Sequence, residues 1–457
     1  MALNSYSVLT EQDCHHARLA RDRRFDGQFY IAVKTTGIFC RPICPANLPK
    51  EQNVEYFIDQ AEALHAGYRP CLRCRPDSAP GSWAWKGTET TFQRAIKLIE
   101  QGELAEGCVT TLASKLGISD RYLRQLFERY LSMSPKRYAQ YHQLMFAKQL
   151  LHSSTMSITD IAFASGFNST RRFNDAFSKV LNLTPSRVRQ NMTTEIANRF
   201  ELTFHGPLDW QRMCDFYALR AIEGIEWVTA DSYRRHFTLN GAVGWFEAKR
   251  VQRDKLSIEF EISDIRQLKH LVEKLRVMFD LNTDLAAVEG HLNHIAPGLV
   301  KHSGMRIPGV WNAWEAGVRA ILGQQVSVKG AITQLNFLVE NLAQGESGLR
   351  QFPSPEQVAN ADLSFLRMPQ SRKDTLHRFA KFYLTEQRED LDAWLELKGI
   401  GPWTINYAAL RGLSAPNRLL NNDLIVKKML VNFPTVTVES ASPWGSYATF
   451  HLWSHSS

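Results

Sequence analysis

The chain has 457 residues, of which 44% are hydrophobic and 11% aromatic. This length predicts about three domains, and the composition excludes disordered, collagen-like and disulfide-scaffold classes. No apolar run approaches the roughly 18 residues of a membrane-spanning helix and the start lacks a signal-peptide pattern, so we expect a cytoplasmic protein without a membrane partner. Of the formal charge of +8, residues 86–195 carry +6, from 15 basic and 9 acidic side chains, which favours a polyanion as partner of this segment.

Two polar, turn-rich stretches, residues 77–82 and 189–195, predict linkers between domains. Between them the sequence repeats at an offset of fifty residues, with Phe127 answered by Phe177 and Pro135 by Pro185. This repeat predicts two similar helical units in tandem. Beyond the second linker, apolar and polar residues alternate over 200–204 and 255–262, as in half-buried strands. From about Asp264 onward, the spacing of apolar residues is mostly that of helices.

Four cysteines form two close pairs, Cys40 with Cys44 and Cys71 with Cys74. Pairs at this spacing suit four thiolates around one tetrahedral zinc ion. A zinc knuckle with a purely structural role is the alternative reading of the same spacing. Because no cysteine follows Cys214, the rest of the chain cannot hold an iron–sulfur cluster, and no such cluster is expected.

Residues 29–44 and 67–74 around these pairs closely resemble the amino-terminal module of Ada-type DNA repair proteins. The resemblance implies that Cys40 irreversibly accepts a methyl group from a DNA methylphosphotriester and that the other three cysteines hold the zinc with it. Four thiolates on one dication leave a charge of −2, which favours attack on an electrophilic methyl. Methylation lowers this charge to −1, and the weaker repulsion of phosphates is expected to tighten DNA binding. Pro45 and its neighbours stand where relatives often carry phosphate-contacting arginines.

The middle segment predicts two helix-turn-helix units. Residues 109–119 suggest a helix that ends at a glycine turn, with Ser119 capping a helix from Asp120 to about Tyr130. Residues 158–167 repeat this plan before a helix that starts near Asn168. Over about residues 88–190 the chain resembles the AraC/XylS family of transcription activators, which implies promoter DNA and RNA polymerase as partners.

Recognition helices place their amino-terminal turns in the major groove, where side chains reach bases or phosphates. The side chains best placed for such contacts are Arg121, Arg124, Asn168, Arg171 and Arg172. Taken singly, these residues are also what a solvated helix face carries. Two charged helices in a repeated context, in the segment with most of the net charge, favour DNA binding.

Near the carboxyl end, Gly399 and Gly401 precede a predicted helix, so peptide N–H groups can face a phosphate without side-chain obstruction. This segment, with residues 321–328 and 407–426, resembles the AlkA-type DNA-3-methyladenine glycosylases of the helix-hairpin-helix superfamily, over about residues 197–457. The family's catalytic aspartate falls on Asp423, which is expected to stabilise the developing sugar cation or orient water as the flipped base departs.

The resemblance places three aromatic side chains in the base pocket, Trp403, Tyr407 and Trp453, whose faces favour electron-poor alkylated purines. Ordinary core packing is the alternative for these aromatics, and a helix cap is the alternative for Asp423. Bifunctional relatives carry a Schiff-base lysine where this chain has Trp403, so strand cleavage is not expected.

Two further departures concern substrate range and rate. The residue that fills the gap left by the flipped base, commonly leucine, is Gln325, and the acidic residue before the catalytic aspartate is Asn422.

We therefore predict a multidomain α+β protein in four parts. They are an Ada-like zinc and methyl-acceptor module (1–82), an all-α tandem helix-turn-helix domain (86–191), an α/β subdomain (197–283) and an all-α helix-hairpin-helix glycosylase domain (284–457). The predicted function is an alkylation response: hydrolytic excision of alkylated purines such as 3-methyladenine, methyl acceptance and activation of repair genes. The predicted cofactor is one Zn²⁺ with no nucleotide cofactor, and the partner is double-stranded DNA, both alkylated and promoter. The alternative is a zinc-containing AraC-type transcription factor whose glycosylase-like domain only binds DNA.

Overall fold

The computed structural model describes residues 10–21, 25–26, 28–74, 76, 88–100, 102–104, 107–189, 198–343, 349–385 and 391–456. The predicted linker at 77–82 lies outside these residues, as does all of the second linker after Arg189. The chain forms two compact units, residues 1–142 and 143–457. The boundary falls inside one helix, Pro135–Ser153.

The first unit begins with a small α/β module. Its elements are helix α1 (Glu11–Ala20), strands β1 (Tyr30–Val33), β2 (Ile38–Cys40) and β3 (Val54–Phe57), helix α2 (Gln60–His65) and strand β4 (Arg69–Pro70). The sheet order is β3-β1-β2-β4, and β4 runs parallel to β2. Alternate β1 residues face two small cores, Ile31 on one side and Tyr30 with Ala32 on the other. Because β2 ends at Cys40 and Cys71 directly follows β4, the parallel pairing brings the two cysteine pairs together.

The remainder of the first unit is helical. It contains α3 (Thr88–Glu100), α4 (Val109–Lys115), α5 (Asp120–Leu131) and the first part of α6 (Pro135–Ser153). The Ser119 side chain accepts the Tyr122 N–H at 3.2 Å, so this serine caps α5 as the sequence predicts. Leu112, Leu123 and Phe127 are buried in the core between these helices.

The second unit begins with the remaining turns of α6 and the second helix-turn-helix, which comprises α7 (Ile158–Ala164), α8 (Thr170–Leu181) and α9 (Pro185–Val188). Helix α8 begins two residues after the predicted Asn168, because Ser169 accepts the Arg172 N–H and is itself the cap. Phe173 and Phe177 on the inner face of α8 are fully buried.

A five-stranded antiparallel sheet follows. Its strands are β5 (Arg199–Thr203), β6 (Glu226–Val228), β7 (Ser232–Leu239), β8 (Ala242–Gln252) and β9 (Lys255–Ile262), in the order β5-β9-β8-β7-β6. The predicted strand at 255–262 is confirmed, and the one at 200–204 is shifted by one residue. Helices α10 (Trp210–Ala218) and α11 (Leu268–Met278) supply buried side chains to the same core as the sheet.

The second helix-turn-helix is built onto this sheet. Ser154, between α6 and α7, forms an antiparallel bridge with Phe200 of the edge strand β5, and the Thr155 N–H donates to the Arg199 carbonyl at 3.2 Å. Helix α7 contacts the 3-10 turn at 265–267 that precedes α11. Buried residues from α6, α7 and α8 join the core of the sheet, so regulator and repair segments share one hydrophobic core and the edge of β5 is covered.

The rest of the second unit is helical. It contains α12 (Leu285–Ile295), α13 (Ala313–Gly323), α14 (Val328–Leu342), α15 (Pro355–Asn360), α16 (Gln370–Tyr383), α17 (Pro402–Gly412), α18 (Leu424–Leu430), α19 (Val438–Ala441) and α20 (Gly445–Ser454). The predicted α+β architecture is thereby confirmed. No helix in the described part of the chain is long and apolar enough to cross a membrane.

Helix α13 is buried along almost its whole length and packs antiparallel against α17. A buried ion network ties α13 to the sheet. Arg235 of β7 contacts Glu226 at 3.0 Å and forms an ion pair with Glu315 of α13, while Arg319 contacts both carboxylates at 2.8 Å. Since each buried charge has an opposite partner, the network fixes α13 relative to the sheet.

Candidate metal centre and active site

The four predicted zinc ligands lie together at the ends of β2 and β4. The sulfur atoms of Cys40, Cys44, Cys71 and Cys74 all lie within 4.8 Å of one another. Three of these cysteines are buried, whereas Cys40 is partly exposed. Four clustered sulfurs fit a tetrahedral thiolate site for zinc.

The sulfurs interact strongly. The neighbouring Cys44 and Cys74 thiols and burial raise the pKa of Cys40, whereas the neighbouring Cys40 and Cys74 thiols lower the pKa of Cys44. Clustered thiols therefore do not all ionise without a cation between them, which fits a site built for a dication.

Arg41 fixes one side of this cluster. Its backbone N–H lies 3.4 Å from the Cys74 sulfur, and its buried guanidinium contacts the Cys74 carbonyl at 3.2 Å and Asp26 at 2.8 Å.

Asp423 is held by four N–H donors. Its Oδ1 atom accepts from the backbone N–H groups of Ile425 at 3.0 Å and Val426 at 3.2 Å, and from the Trp453 indole at 3.1 Å. The Trp403 indole donates to Oδ2 at 3.2 Å. Asp423 is thus the N-cap of α18, so the helix-cap reading is correct, and the capping bonds also fix the carboxylate between two of the three predicted pocket aromatics.

The predicted pocket aromatics lie on α17 and α20. Trp403 and Tyr407, one helical turn apart, stack with ring centroids 5.3 Å apart and planes 23° apart, and Trp453 meets Phe450 edge to face. All three pack against the core of this region but are only partly buried. Core packing therefore accounts for part of each ring, and each ring also keeps an exposed part.

Gly399 and Gly401 lie in the hairpin before α17, and only the first of these positions requires glycine. Gly399 has φ of +98°, and a Cβ atom there would lie 2.1 Å from the Thr375 hydroxyl, so both conformation and space demand glycine. Gly401 is the N-cap of α17 in an extended conformation, with open space around it. Gln325 is exposed in the turn between α13 and α14, with φ of +56°.

The predicted contacts of the helix-turn-helix units are all exposed. Arg121 and Arg124 lie on the first turns of α5, where Arg124 is 3.6 Å from Asp120. Asn168 precedes the cap of α8, and Arg171 and Arg172 lie in its first turn.

Three family models match the chain: the metal binding domain of Ada over residues 13–77, a helix-turn-helix domain over 112–191 and the AlkA N-terminal domain over 199–312. A Mycobacterium tuberculosis protein named "Probable bifunctional transcriptional activator/DNA repair enzyme AlkA" is 33% identical over 96% of this chain and 95% of its own. The chain belongs to this family of bifunctional transcriptional activators and DNA repair enzymes.

Partial relatives of this activator and repair family match separate parts of the chain. DNA-3-methyladenine glycosylase 2 of Escherichia coli is 30% identical over 56% of this chain and 96% of its own. The Ada activator and repair enzyme of the same organism is 33% identical over 40% of this chain and 50% of its own. The chain is therefore a zinc-binding, DNA-binding member that fuses Ada-type and AlkA-type repair modules through a helix-turn-helix segment.

In this family member, three residues that sequence reasoning missed lie next to the predicted pocket residue Tyr407 or to one another. The Arg411 guanidinium donates to the Tyr407 hydroxyl at 3.1 Å and lies 4.8 Å from the Phe216 ring centroid. Arg220 stacks on the same ring at 3.7 Å, and burial lowers the pKa of this arginine to about 10. Phe216 and Arg220 carry no motif and lie almost 200 residues before Tyr407, so only their packing identifies them.

Proposed function

We propose that this protein excises alkylated purines such as 3-methyladenine from DNA by hydrolysis, with Asp423 as the catalytic carboxylate. The observation that carries the proposal is the set of four N–H donors that hold this carboxylate between Trp403 and Trp453. The bond between C1′ and the base breaks, and its electron pair leaves with the cationic purine. The fixed carboxylate stabilises the positive charge that develops on the sugar, and water then attacks C1′ and loses a proton.

The faces of Trp403, Tyr407 and Trp453 select electron-poor bases by stacking. A purine alkylated at N3 or N7 carries a positive charge and leaves more readily than the unmodified purines of DNA. Release of 3-methyladenine and 7-methylguanine from methylated DNA tests this activity. Release of neither base would favour the alternative, a regulator whose last domain only binds DNA.

We also propose that the enzyme is monofunctional. Schiff-base chemistry needs an amine beside C1′, and the hairpin position that would supply it is Trp403, whose indole N–H is directed at Asp423. Treatment with borohydride during turnover tests this point. Unbroken strands with abasic sites and no trapped adduct are expected, and a covalent protein–DNA adduct would contradict the proposal.

For the amino-terminal module, we propose one zinc ion on four thiolates, with Cys40 as methyl acceptor. Bound zinc keeps the sulfurs as thiolates at neutral pH. The Cys40 sulfur forms a bond to the methyl carbon while the bond from that carbon to the phosphotriester oxygen breaks, which leaves a phosphodiester anion. The support is the partial exposure of Cys40 beside three buried ligands. Intact-mass and peptide mapping test it, and a methyl on another residue or less than one zinc per chain would contradict it.

We propose that the two helix-turn-helix units read a bipartite promoter site and recruit RNA polymerase, with the division 1–82, 86–191, 197–283 and 284–457 as working domains. We also propose the cytoplasm as its location. Two recognition helices are expected to enter successive major grooves about 34 Å apart. Footprinting with unmethylated and Cys40-methylated protein tests this model. Two protected half-sites and tighter binding after methylation are expected, whereas a single half-site would contradict it.

A further inference from the structure

The turn that carries Gln325 is tied to the DNA-binding hairpin by the preceding residue. The Gln324 side-chain amide donates to the Gly399 carbonyl at 2.9 Å and to the Thr404 hydroxyl at 3.1 Å. Gly399 lies in the hairpin, and Thr404 follows the pocket residue Trp403 in the first turn of α17. One side chain therefore connects the gap-filling turn, the hairpin and the helix that carries the base pocket.

The hairpin is also braced from α16. The Thr375 hydroxyl contacts the Lys398 carbonyl at 3.2 Å, and the Arg378 guanidinium donates to the same oxygen at 2.9 Å. In a trans peptide the carbonyl and the next N–H point in opposite directions, so the Gly399 N–H faces away from α16. This side is where a phosphate can approach.

The two braced segments stand at the same end of a tightly packed helix pair. Gln324 is the C-cap of α13, and the hairpin leads into α17, which runs antiparallel to α13. At the opposite end, a Cβ atom on Gly412 would lie 2.8 Å from the Ala313 Cα atom, so the helix axes are very close. Because both helices are fixed, the hydrogen bonds of the Gln324 side chain are the link that restrains the exposed turn relative to the hairpin.

We propose that Gln324 is a positioning residue that makes the Gln325 turn and the hairpin one rigid edge, so that phosphate binding at Gly399 and insertion of Gln325 into the duplex occur together. The proposal rests on the glycosylase function proposed above. Its consequence is specific: Gln324 contributes to extruding a paired base, whereas Asp423 contributes to breaking the glycosidic bond. Loss of the Gln324 amide is therefore expected to matter for paired lesions and little for lesions that need no extrusion.

The test compares single-turnover excision of 7-methylguanine placed opposite cytosine or opposite an abasic-site analogue, with the full chain. Gln324→Leu keeps the side-chain size but removes both hydrogen bonds. Excision opposite cytosine is expected to fall about tenfold, and excision opposite the abasic analogue less than about twofold. Thr404→Val removes only one acceptor and should give a smaller fall on the paired lesion alone.

The matched control is Gln211→Leu on α10, which removes an exposed amide contact to Asp215 and should change neither rate. Equal falls on both lesions, or no fall on either, in folded Gln324→Leu and Thr404→Val variants would overturn the proposal. Failure of wild-type protein to release 7-methylguanine from either DNA would instead contradict the proposed glycosylase function.

Discussion

At the residue scale, Asp423 is a helix cap whose geometry also suits the proposed catalytic role. The sequence leaves a helix cap and a catalytic carboxylate as alternatives, yet its Oδ1 atom accepts two backbone N–H groups while both oxygens also meet indole N–H groups. The capping geometry supplies the fixed orientation that electrostatic stabilisation of a sugar cation requires. The two readings therefore describe the same set of hydrogen bonds.

The indole donors give a prediction at this scale. Trp453→Phe keeps an aromatic ring but removes the N–H that contacts Asp423, and we expect excision to fall about tenfold while preference for alkylated purines is kept. Trp453→Ala also removes the stacking face and should weaken that preference, since stacking contributes about 1–3 kcal/mol per base. Competition kinetics with normal and alkylated purines measure both effects. Trp444→Phe, in the same aromatic region but not bonded to Asp423, serves as control, and an equal loss there would contradict the assignment.

His451 gives a prediction on pH. It is fully buried, neither ring nitrogen has a hydrogen-bond partner within the described residues, and burial lowers its pKa to about 4, with nearby His455 and His302 contributing. In the unfolded chain His451 binds a proton below about pH 6.5, whereas in the folded chain it binds one only below about pH 4. The free energy of unfolding therefore falls as the pH falls from about 6.5 to about 4. The contribution is about 3 kcal/mol. Denaturant unfolding of wild type and His451→Leu at pH 7 and pH 4.5 measures it, and identical pH dependences would contradict it.

At the scale of elements, much of the architecture follows from the sequence. The Ser119 cap and the alternating pattern of residues 255–262 are local, so each predicts its element directly. The cysteine pairs are identifiable because their residue type and spacing carry chemistry, whereas Asp423 is identified only through the resemblance to a known family. Contacts such as Gln324 with Gly399, or Arg411 with Phe216, join residues 75 or more positions apart and leave no periodic signal. Such contacts appear only when helices are packed.

The α13–α17 pair provides a prediction on stability. Gly412→Ala would place a methyl 2.8 Å from the Ala313 Cα and Ala316 Cβ atoms, so the helices must separate, at a cost of about 1–3 kcal/mol. Gly290→Ala in α12 meets nothing within 4 Å and is expected to stabilise by up to about 1 kcal/mol through helix propensity. Thermal unfolding of both variants measures these changes. If Gly412→Ala is as stable as Gly290→Ala, the close approach of the helices is not required.

At the scale of the whole molecule, the second helix-turn-helix belongs to the same hydrophobic core as the sheet of the repair domain. Substitutions at matching positions in the two helix-turn-helix motifs test this shared core. Ile161→Ala on α7 should destabilise the whole compact unit of residues 143–457, including its glycosylase part, by about 2–5 kcal/mol. The reason is that the buried Ile161 side chain contributes to the shared core. Leu112→Ala on α4 changes the corresponding position of the first helix-turn-helix motif, and it should leave the unfolding transition of residues 143–457 unchanged.

The unfolding transition of the second unit can be followed by base-release activity after heating and by calorimetry. Equal effects of Ile161→Ala and Leu112→Ala on glycosylase inactivation would contradict the shared core. A difference confined to Ile161→Ala would establish that a regulator segment stabilises the repair domain.

The most direct measurement of the central claim is release of 3-methyladenine from methylated DNA by the full chain and by Asp423→Asn. Asparagine is an equally good N-cap, so its Oδ1 can keep the backbone N–H bonds and the fold and DNA binding should persist, although its Nδ2 cannot accept from the Trp403 indole. The lost charge should slow excision by about 10²-fold or more, on the order of 3 kcal/mol. A melting temperature lowered by no more than a few degrees and an unchanged DNA affinity, together with this loss of excision, are the predicted result. Excision by Asp423→Asn at the wild-type rate would contradict the assignment of Asp423 as the catalytic carboxylate.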